Sequence, residues 1–284
     1  MAKAMHAELH YQHRALTETH VGIGNQIEHN LVVSLTSFSQ RIDSAYLVIE
    51  TLFNQTLRAD RIVLWLAEEE FPRREADLPL ALVSQCTRGL EIRYTRDLGP
   101  YKKIIPALAA YPGSLIVTVD DDILYPVDML EKLYRSYLAN PNAIHSNRVH
   151  QMKFAGQRKL APYRTWNRPT QQDLCDLTIF PTGVAGVLYF PGCFHEDVSD
   201  ETLFMNLSPA ADDIWLKAMS LMQNVKCQST VDYRDWQTQF LPIQGSNARA
   251  LKTLNKAAVG GNDDKLQAVF DYYDCWGLFS NNRL

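Results

Sequence analysis

The chain of 284 residues is 46% hydrophobic and 21% charged, an ordinary globular balance with enough apolar material to bury a sheet between helices. A formal net charge of -4 lacks the basic excess of a nucleic-acid footprint, and no apolar run approaches the roughly 20 residues of a membrane span. Five cysteines (Cys86, Cys175, Cys193, Cys227, Cys275) are scattered without a C-x-x-C pair, which predicts reduced thiols rather than a disulfide framework or zinc knuckle. These features set the expectation of a soluble cytoplasmic protein, at most peripherally attached to the inner face of a membrane.

Residues 1–30 carry five histidines among polar residues and no signal-peptide core, so they read as a loosely ordered arm. Leu31–Thr36 is rich in β-branched residues and predicts a first core strand. Ile42–Phe53 follows a helical period through Ala45, Val48, Ile49, Leu52 and Phe53. Arg61–Leu66 predicts a second strand, and Leu78–Cys86 a helix closed by Gly89. Leu90–Tyr94 reads as a third strand and Tyr101–Ala110 as a helix ended by the Pro112-Gly113 turn. Leu115–Val119 is a fourth strand, apolar enough for the centre of a parallel sheet.

Strands alternating with helices predict a doubly wound α/β fold with a mostly parallel sheet. Ligands in such sheets sit at the carboxyl ends of the strands. Thr36–Arg41, Ala67–Glu69, Arg96–Lys103 and Asp120–Asp122 therefore share one rim. Beyond it, Tyr125–Leu138 reads as a helix starting at Pro126, a favoured first-turn residue. Residues 143–190 are irregular, with extended pieces near Ile144–Val149 and Val187–Phe190. Pro209–Met222 and Asp263–Tyr273 are further helices. The organisation expected is an arm (1–30), a regular α/β half (31–125) and a less regular lobe of the same domain (126–284).

The strongest local signal is Asp120-Asp121-Asp122, placed directly after an apolar strand. Three adjacent acids repel one another, and at a sheet's carboxyl rim a cation would relieve them. Mn2+ or Mg2+ binds through one or two carboxylates plus phosphate oxygens, and could neutralise a diphosphate leaving group. The plainer alternative is a solvated acidic turn or helix cap.

An apolar strand, Asp-x-Asp (Asp120 and Asp122 around Asp121) and then a helix resembles the metal-binding motif of GT-A fold glycosyltransferases. Flanking segments agree over about residues 31–230. Ser34-Leu-Thr-Ser-Phe38 with Arg41 looks like the first-strand loop that receives the nucleotide base, and Asn54-Gln55-Thr56 like the end of the first helix in family 2-like enzymes. Asp97-Leu-Gly-Pro-Tyr-Lys102-Lys103 sits where these enzymes place a basic or polar loop near the donor. The resemblance implies a Rossmann-like GT-A fold, with residues 31–125 binding a nucleotide-sugar donor and residues 126–284 an acceptor. It also implies a divalent metal on Asp120 and Asp122, and donor contacts at Thr36, Ser37, Arg41, Lys102, Lys103, Asp120 and Asp121. Bacterial capsule or lipopolysaccharide enzymes are the nearest type, with a UDP-sugar the first candidate donor and a glycan or lipid-linked glycan the acceptor.

Asp212-Asp213 opens a helix some 90 residues later. One carboxylate could be a general base, or both could complement the helix dipole. The pair resembles the Glu/Asp-Asp motif of inverting GT-A enzymes, which implies Asp213 as base and Asp212 as an acceptor-orienting residue. Thr182-Gly183-Val-Ala-Gly186 could let backbone approach a sugar closely, or could be a plain turn. Trp166, Trp215 and Trp236 are sugar-stacking or core candidates. Lys102 and Lys103 are adjacent, so at most one reaches a diphosphate. Glu68–Glu70 read as a solvated loop and His145 and His150 as structural histidines, while His195, after the Pro191-Gly192 turn, is a somewhat better ligand candidate. A retaining glycosyltransferase, a sugar nucleotidyltransferase and a non-catalytic glycan-binding module remain open, although Ser34–Arg41 lacks the glycine-rich phosphate loop of a nucleotidyltransferase.

Overall fold

The computed structural model describes residues 2–25, 27–168, 173–245 and 261–279. Parts of the 126–284 lobe (169–172, 246–260 and 280–284) and residues 1 and 26 of the arm lie outside the described residues. The first half alternates as the hydrophobic pattern dictates. Strand β1 (Leu31–Thr36) leads to helix α2 (Ile42–Phe53), β2 (Arg61–Ala67), a short α3 (Leu80–Ser84), β3 (Leu90–Thr95), α4 (Ile105–Ala110) and β4 (Leu115–Thr118). All four strands are parallel: β1 pairs with both β2 and β4, placing Val33 opposite Ile62 and Val117, while β3 extends the edge beside β2.

The second half completes the sheet. Its strands are β5 (Ile123–Leu124), β6 (Ala143–Ser146), β7 (Val149–Gln151), β8 (Phe154–Gly156), β9 (Lys159–Leu160), β10 (Cys175–Asp176), β11 (Ile179–Pro181), β12 (Val187–Tyr189), β13 (Lys226–Ser229) and β14 (Leu241–Pro242). The main sheet is eight-stranded in the order β10-β13-β6-β12-β4-β1-β2-β3. It is mixed α/β and mostly parallel, with β12 running antiparallel between β4 and β6. Helices α5 (Met129–Ala139), α6 (Glu201–Leu207), α7 (Asp212–Met222), α8 (Trp236–Gln239) and α9 (Asn262–Tyr272) follow in chain order.

The period-2 alternation of the strands feeds two cores, one on each face of the sheet. Val33, Leu35, Ile62, Leu64 and Val117 join α2, α3 and α5 on one face. Val32, Val63, Trp65, Ile116 and Val187 join α4, α6, α7 and α9 on the other. No helix among the described residues is long and apolar enough to cross a membrane.

Several expected boundaries move. The stretch read as a loose arm contains helix α1 (Ala2–Thr17), which packs on α2 and buries Tyr11 in the first core. Its inward face is Ala4, Ala7, Tyr11 and Ala15, a helical spacing built mostly from alanine, which carries little hydrophobic contrast. The helix expected from Pro126 begins later, at Met129, because Ile123–Leu124 pairs with β14 instead. Leu78–Cys86 narrows to α3 followed by a 3-10 turn over Gln85–Arg88, closed by Gly89 at φ 110°. Only glycine holds that left-handed position without strain.

The first-face core contains one buried ion pair. Glu50 of α2 is fully buried, and Arg88 donates to its Oε1 alongside Gln85 Nε2 at 2.7 Å. Arg88 also donates to the His20 carbonyl at 3.1 Å and lies over Phe53, tying the N-terminal segment to the sheet. Removing one partner of a buried pair leaves an uncompensated charge. Arg88→Ala is expected to cost about 3–5 kcal/mol in urea denaturation. A loss below about 1 kcal/mol would show that Glu50 is solvated or paired another way.

Candidate active site

The carboxyl ends of β1 and β4 lie side by side, and the Asp triplet leaves β4 at that point. The three acids take different directions. Asp121 turns inward: Ser37 Oγ donates to its Oδ2 at 2.6 Å and Arg41 Nη1 to its Oδ1 at 2.8 Å. Arg41 also reaches Asp122 Oδ2 at 3.1 Å. Asp120 faces Lys103, with Nζ to Oδ1 at 2.9 Å. Its backbone N–H donates to Tyr125 Oη at 2.8 Å, and that hydroxyl donates in turn to the Val184 carbonyl at 3.2 Å.

Lys103 is placed by the core. Ser34 Oγ in β1 donates to the Lys103 carbonyl at 2.5 Å and accepts from Trp65 Nε1 at 3.0 Å. Tyr101, two residues earlier, stacks on Phe204 and hydrogen-bonds Ser208 at 2.8 Å. The ammonium then spans from Asp120 to Asp212 Oδ2 at 3.0 Å, joining the end of β4 to the start of α7. Lys102 points elsewhere and pairs with Asp97.

Asp213 accepts from the Gly183 N–H, at 3.1 Å to Oδ1 and 3.2 Å to Oδ2. A Cβ built on Gly183 would lie 3.1 Å from Asp213 Oδ1, 3.1 Å from Lys103 Nζ and 3.6 Å from Asp120 Oδ1. Glycine lets these three groups converge against bare backbone.

Five carboxylates (Asp120, Asp121, Asp122, Asp212, Asp213) thus meet two cations, Arg41 and Lys103. Burial opposes the Lys103 charge, yet Asp120, Asp212 and Asp213 outweigh it and raise the amine's pKa well above its ordinary value. Burial first, then the neighbouring acids, pushes the Asp122 carboxyl up to about 6 and Asp213 up to about 7. Asp121 and Asp212 shift upward for the same first reason, opposed by Arg41 and Lys103 respectively.

Among the described residues, no three His, Cys, Asp or Glu side chains converge as a ready-made metal cage. Mn2+ or Mg2+ needs only one or two carboxylates, completing its shell with phosphate oxygens and water. The excess of buried negative charge, with Asp122 held toward its protonated form, suits such an ion. Asp120 and Asp122 are the carboxylates of the triplet not turned inward.

Other expected residues separate from this cluster. Thr36 Oγ1 donates to the Trp65 carbonyl at 2.8 Å. Trp166 and Trp215 are core, while Trp236 is half-buried. His145 is held by Ser136 and the Asn140 carbonyl, and His195 caps a 3-10 turn. Glu68 pairs with Arg74 at the surface. Sequence reasoning missed Ser34, Tyr101 and Tyr125, whose hydroxyls position the charged groups. Tyr125 could have been found as a polar-tipped aromatic three residues after the Asp triplet.

No known family profile and no curated protein matches the chain. Among solved structures it is similar to a mannosyltransferase from Pyrobaculum calidifontis in complex with GDP-mannose and Mn2+, at 15% identity and a TM-score of 0.42. That match covers 81% of this chain and 64% of the mannosyltransferase, just under two thirds of its length. A 4-diphosphocytidyl-2C-methyl-D-erythritol synthase matches at 10% identity and TM-score 0.47, over 78% of this chain and 95% of that one. The inositol-1-phosphate CTP transferase from T. maritima matches at 11% and 0.41, over 72% and 86%. All three TM-scores lie below 0.5 and all three identities at or below 15%.

The raised Asp213 carboxyl carries a stability consequence of definite sign. Between about pH 4 and pH 7 the folded chain holds a proton there that the unfolded chain has lost, so this group's contribution falls as pH rises. Asp213→Asn is expected to melt above the parent at pH 8, by as much as about 4 kcal/mol, several degrees in melting temperature. The gap should shrink as pH falls and close below about pH 3, where the aspartate is neutral in both states. Calorimetric scans across this range check it; a gap independent of pH would count against the raised carboxyl.

Proposed function

We propose that the chain is a metal-dependent glycosyltransferase that moves a sugar from a nucleotide-diphosphate donor, a UDP-sugar first among candidates, to a glycan or lipid-linked glycan acceptor by inverting displacement. The observation that carries this reading is the buried carboxylate set gathered on Lys103 at the β1/β4 rim, with Asp213 against the Gly183 backbone. Assembly of a bacterial surface polysaccharide, at the inner face of the membrane, is the setting that the resemblance suggests.

In this reading Asp122 and Asp120 hold a divalent ion, which when bound supplies charge neutralisation to the departing diphosphate. Lys103 adds a fixed positive charge beside them, kept ionised by its acid neighbours. Asp121, engaged by Ser37 and Arg41, fixes the first-strand loop rather than a ligand. Asp213 receives the acceptor hydroxyl proton while that oxygen bonds the anomeric carbon and the bond to the diphosphate oxygen breaks. A carboxylate near pKa 7 suits this role, since it is basic enough to take a proton and still ionised in good part. Asp212 projects about 100° away on the same helix. There it anchors Lys103. A nucleotidyltransferase is less well supported: Ser34–Arg41 has no glycine to cradle phosphate, and Ser37 and Arg41 are already bound to Asp121.

Steady-state kinetics on two variants tests the assignment. Asp213→Asn is expected to lower turnover by roughly 10²–10⁴-fold while leaving nucleotide affinity nearly unchanged. Near-normal turnover, or product retaining the donor's anomeric configuration, would overturn the inverting-base role. Asp122→Asn is expected to remove the Mn2+-dependent part of UDP binding in calorimetry, with the far-UV dichroism intact. Persistence of that Mn2+-linked affinity would overturn the metal assignment.

A further inference from the structure

On the other side of the Thr182-Gly183 turn the chemistry changes sign. Arg148 occupies the turn between β6 and β7, where its carbonyl accepts from Thr182 N–H at 3.0 Å and from Ser146 Oγ at 2.8 Å. Its Nη1 donates to Thr182 Oγ1 at 3.0 Å, and its guanidinium lies 5.2 Å from the Trp236 ring centroid. The next residue along, Gly183, donates to Asp213. One residue of backbone therefore separates the Arg148 anchor from the Asp213 anchor.

The two arginines here lack a counter-ion. Among the described residues, neither half-buried Arg148 nor exposed Arg168 has a carboxylate within ion-pair distance. His150, in the middle of β7, is only 3% exposed, yet among the described residues neither ring nitrogen has a hydrogen-bond partner. Burial first, then Arg148 and Arg168, pushes its pKa down to about 3, so the ring is neutral and offers one N–H. The Trp236 indole N–H is likewise buried without an acceptor. The His150 ring lies 5.2 Å from Tyr163, whose hydroxyl is another group near both arginines. Burying a guanidinium without a counter-ion, and the His150 and Trp236 N–H groups without acceptors, is costly. Two neighbouring arginines add mutual repulsion, and burial lowers the Arg148 pKa most, with Arg168 adding to it. A bound anion beside Arg148 and Arg168 would supply the missing negative charge.

We propose that Arg148, with Arg168, His150 and Trp236, forms a subsite for an anionic group, a carboxylate or a phosphate, on the substrate whose hydroxyl faces Asp213. Assigning that anion to the acceptor rests on the glycosyltransferase reading; the anion site itself stands on the unpaired donors. The planar guanidinium takes a carboxylate or phosphate edge-on, a geometry that lysine cannot reproduce. Such a subsite would select charged glycans, uronic acids or phosphorylated sugars, over neutral ones.

The test uses the full chain with methyl β-D-glucuronide, glucose 6-phosphate and methyl β-D-glucoside as probes, titrated with and without UDP and Mn2+. Binding is read from the Trp236 indole NMR signal, assigned with Trp236→Phe. Both anionic probes are expected to shift that signal and to bind at least about tenfold more tightly than the glucoside. The tighter of the two names the anion. Arg168→Gln, at an exposed position, should lose much of this preference without a change in melting temperature. Arg148→Gln should lose nearly all of it, and Arg148→Lys should fall between, with UDP–Mn2+ affinity unchanged in each. Equal binding of the three probes, or an unaltered preference in Arg168→Gln and Arg148→Gln, would overturn the subsite. Competition of UDP with the glucuronide, with weaker UDP binding in Arg148→Gln, would overturn the acceptor assignment and give Arg148 to the donor. Retained anion binding in a chain that binds no UDP–Mn2+ would sink the transferase reading alone and uphold the subsite.

Discussion

The Lys103 ammonium is the point on which the two halves of the chain meet. Its backbone belongs to the parallel half, where Ser34 and Trp65 fix it against β1 and β2. Its charge serves the other half as well, since Nζ bridges Asp120 at the end of β4 and Asp212 at the start of α7. A lysine buried this deeply would shed its proton if left alone. It keeps it because three carboxylates surround it, and those carboxylates tolerate burial because the lysine is there. Neither element explains itself: α7 starts in a stretch where two acids are enclosed, and the turn after Leu98 buries a cation.

That reciprocity is incomplete, and the shortfall has a direction. Five acids face two bases, so the cluster favours partial protonation, with Asp122 and Asp213 displaced toward neutral pH. Protein interiors that retain such an imbalance do so at functional sites more often than elsewhere. A stability optimum alone would replace one of these acids by a neutral isostere. The fold instead supports them with the Ser37 hydroxyl on Asp121 and the bare backbone N–H of Gly183 on Asp213. These are groups that orient a carboxylate without neutralising it.

Much of this was legible in the sequence because it follows hydrophobic period. β1, β2 and β4 are apolar runs that read as buried strands, β3 alternates as an edge strand should, and the rim followed from their direction. The Asp triplet and Asp212-Asp213 stood out because charge next to a buried element is conspicuous. The inward turn of Asp121 was not legible, since three equal carboxylates carry no local sign of which one Arg41 will claim. Nor could Lys102 be told from Lys103, because the 3-10 turn at Gly99–Lys103 that sends them apart replaces the regular helix its composition suggests. Helix α1 escaped for a different reason: alanine lines its inner face, and the single large residue, Tyr11, marks no period alone. Arg148 escaped because its importance lies in what is missing around it, and a missing carboxylate is a fact about space rather than sequence.

The Thr182-Gly183 turn then separates two fields of opposite sign. On one side, acids in excess call for cations, and on the other, arginines without carboxylates call for anions. A substrate carrying its own negative charge would be repelled from the first and drawn to the second, so its hydroxyl would meet Asp213 from one direction only. Orientation of this kind needs no large pocket, because two fixed charges at a few ångströms discriminate between poses more sharply than shape does in a shallow cleft. It also makes the base's own titration relevant to binding. As Asp213 ionises near pH 7, it strengthens its attraction for Arg148 across the turn and weakens the grip of that guanidinium on any external anion. Binding of the charged substrate and loss of the Asp213 proton are therefore opposed, and by linkage the bound anion holds the Asp213 pKa higher than in the free chain.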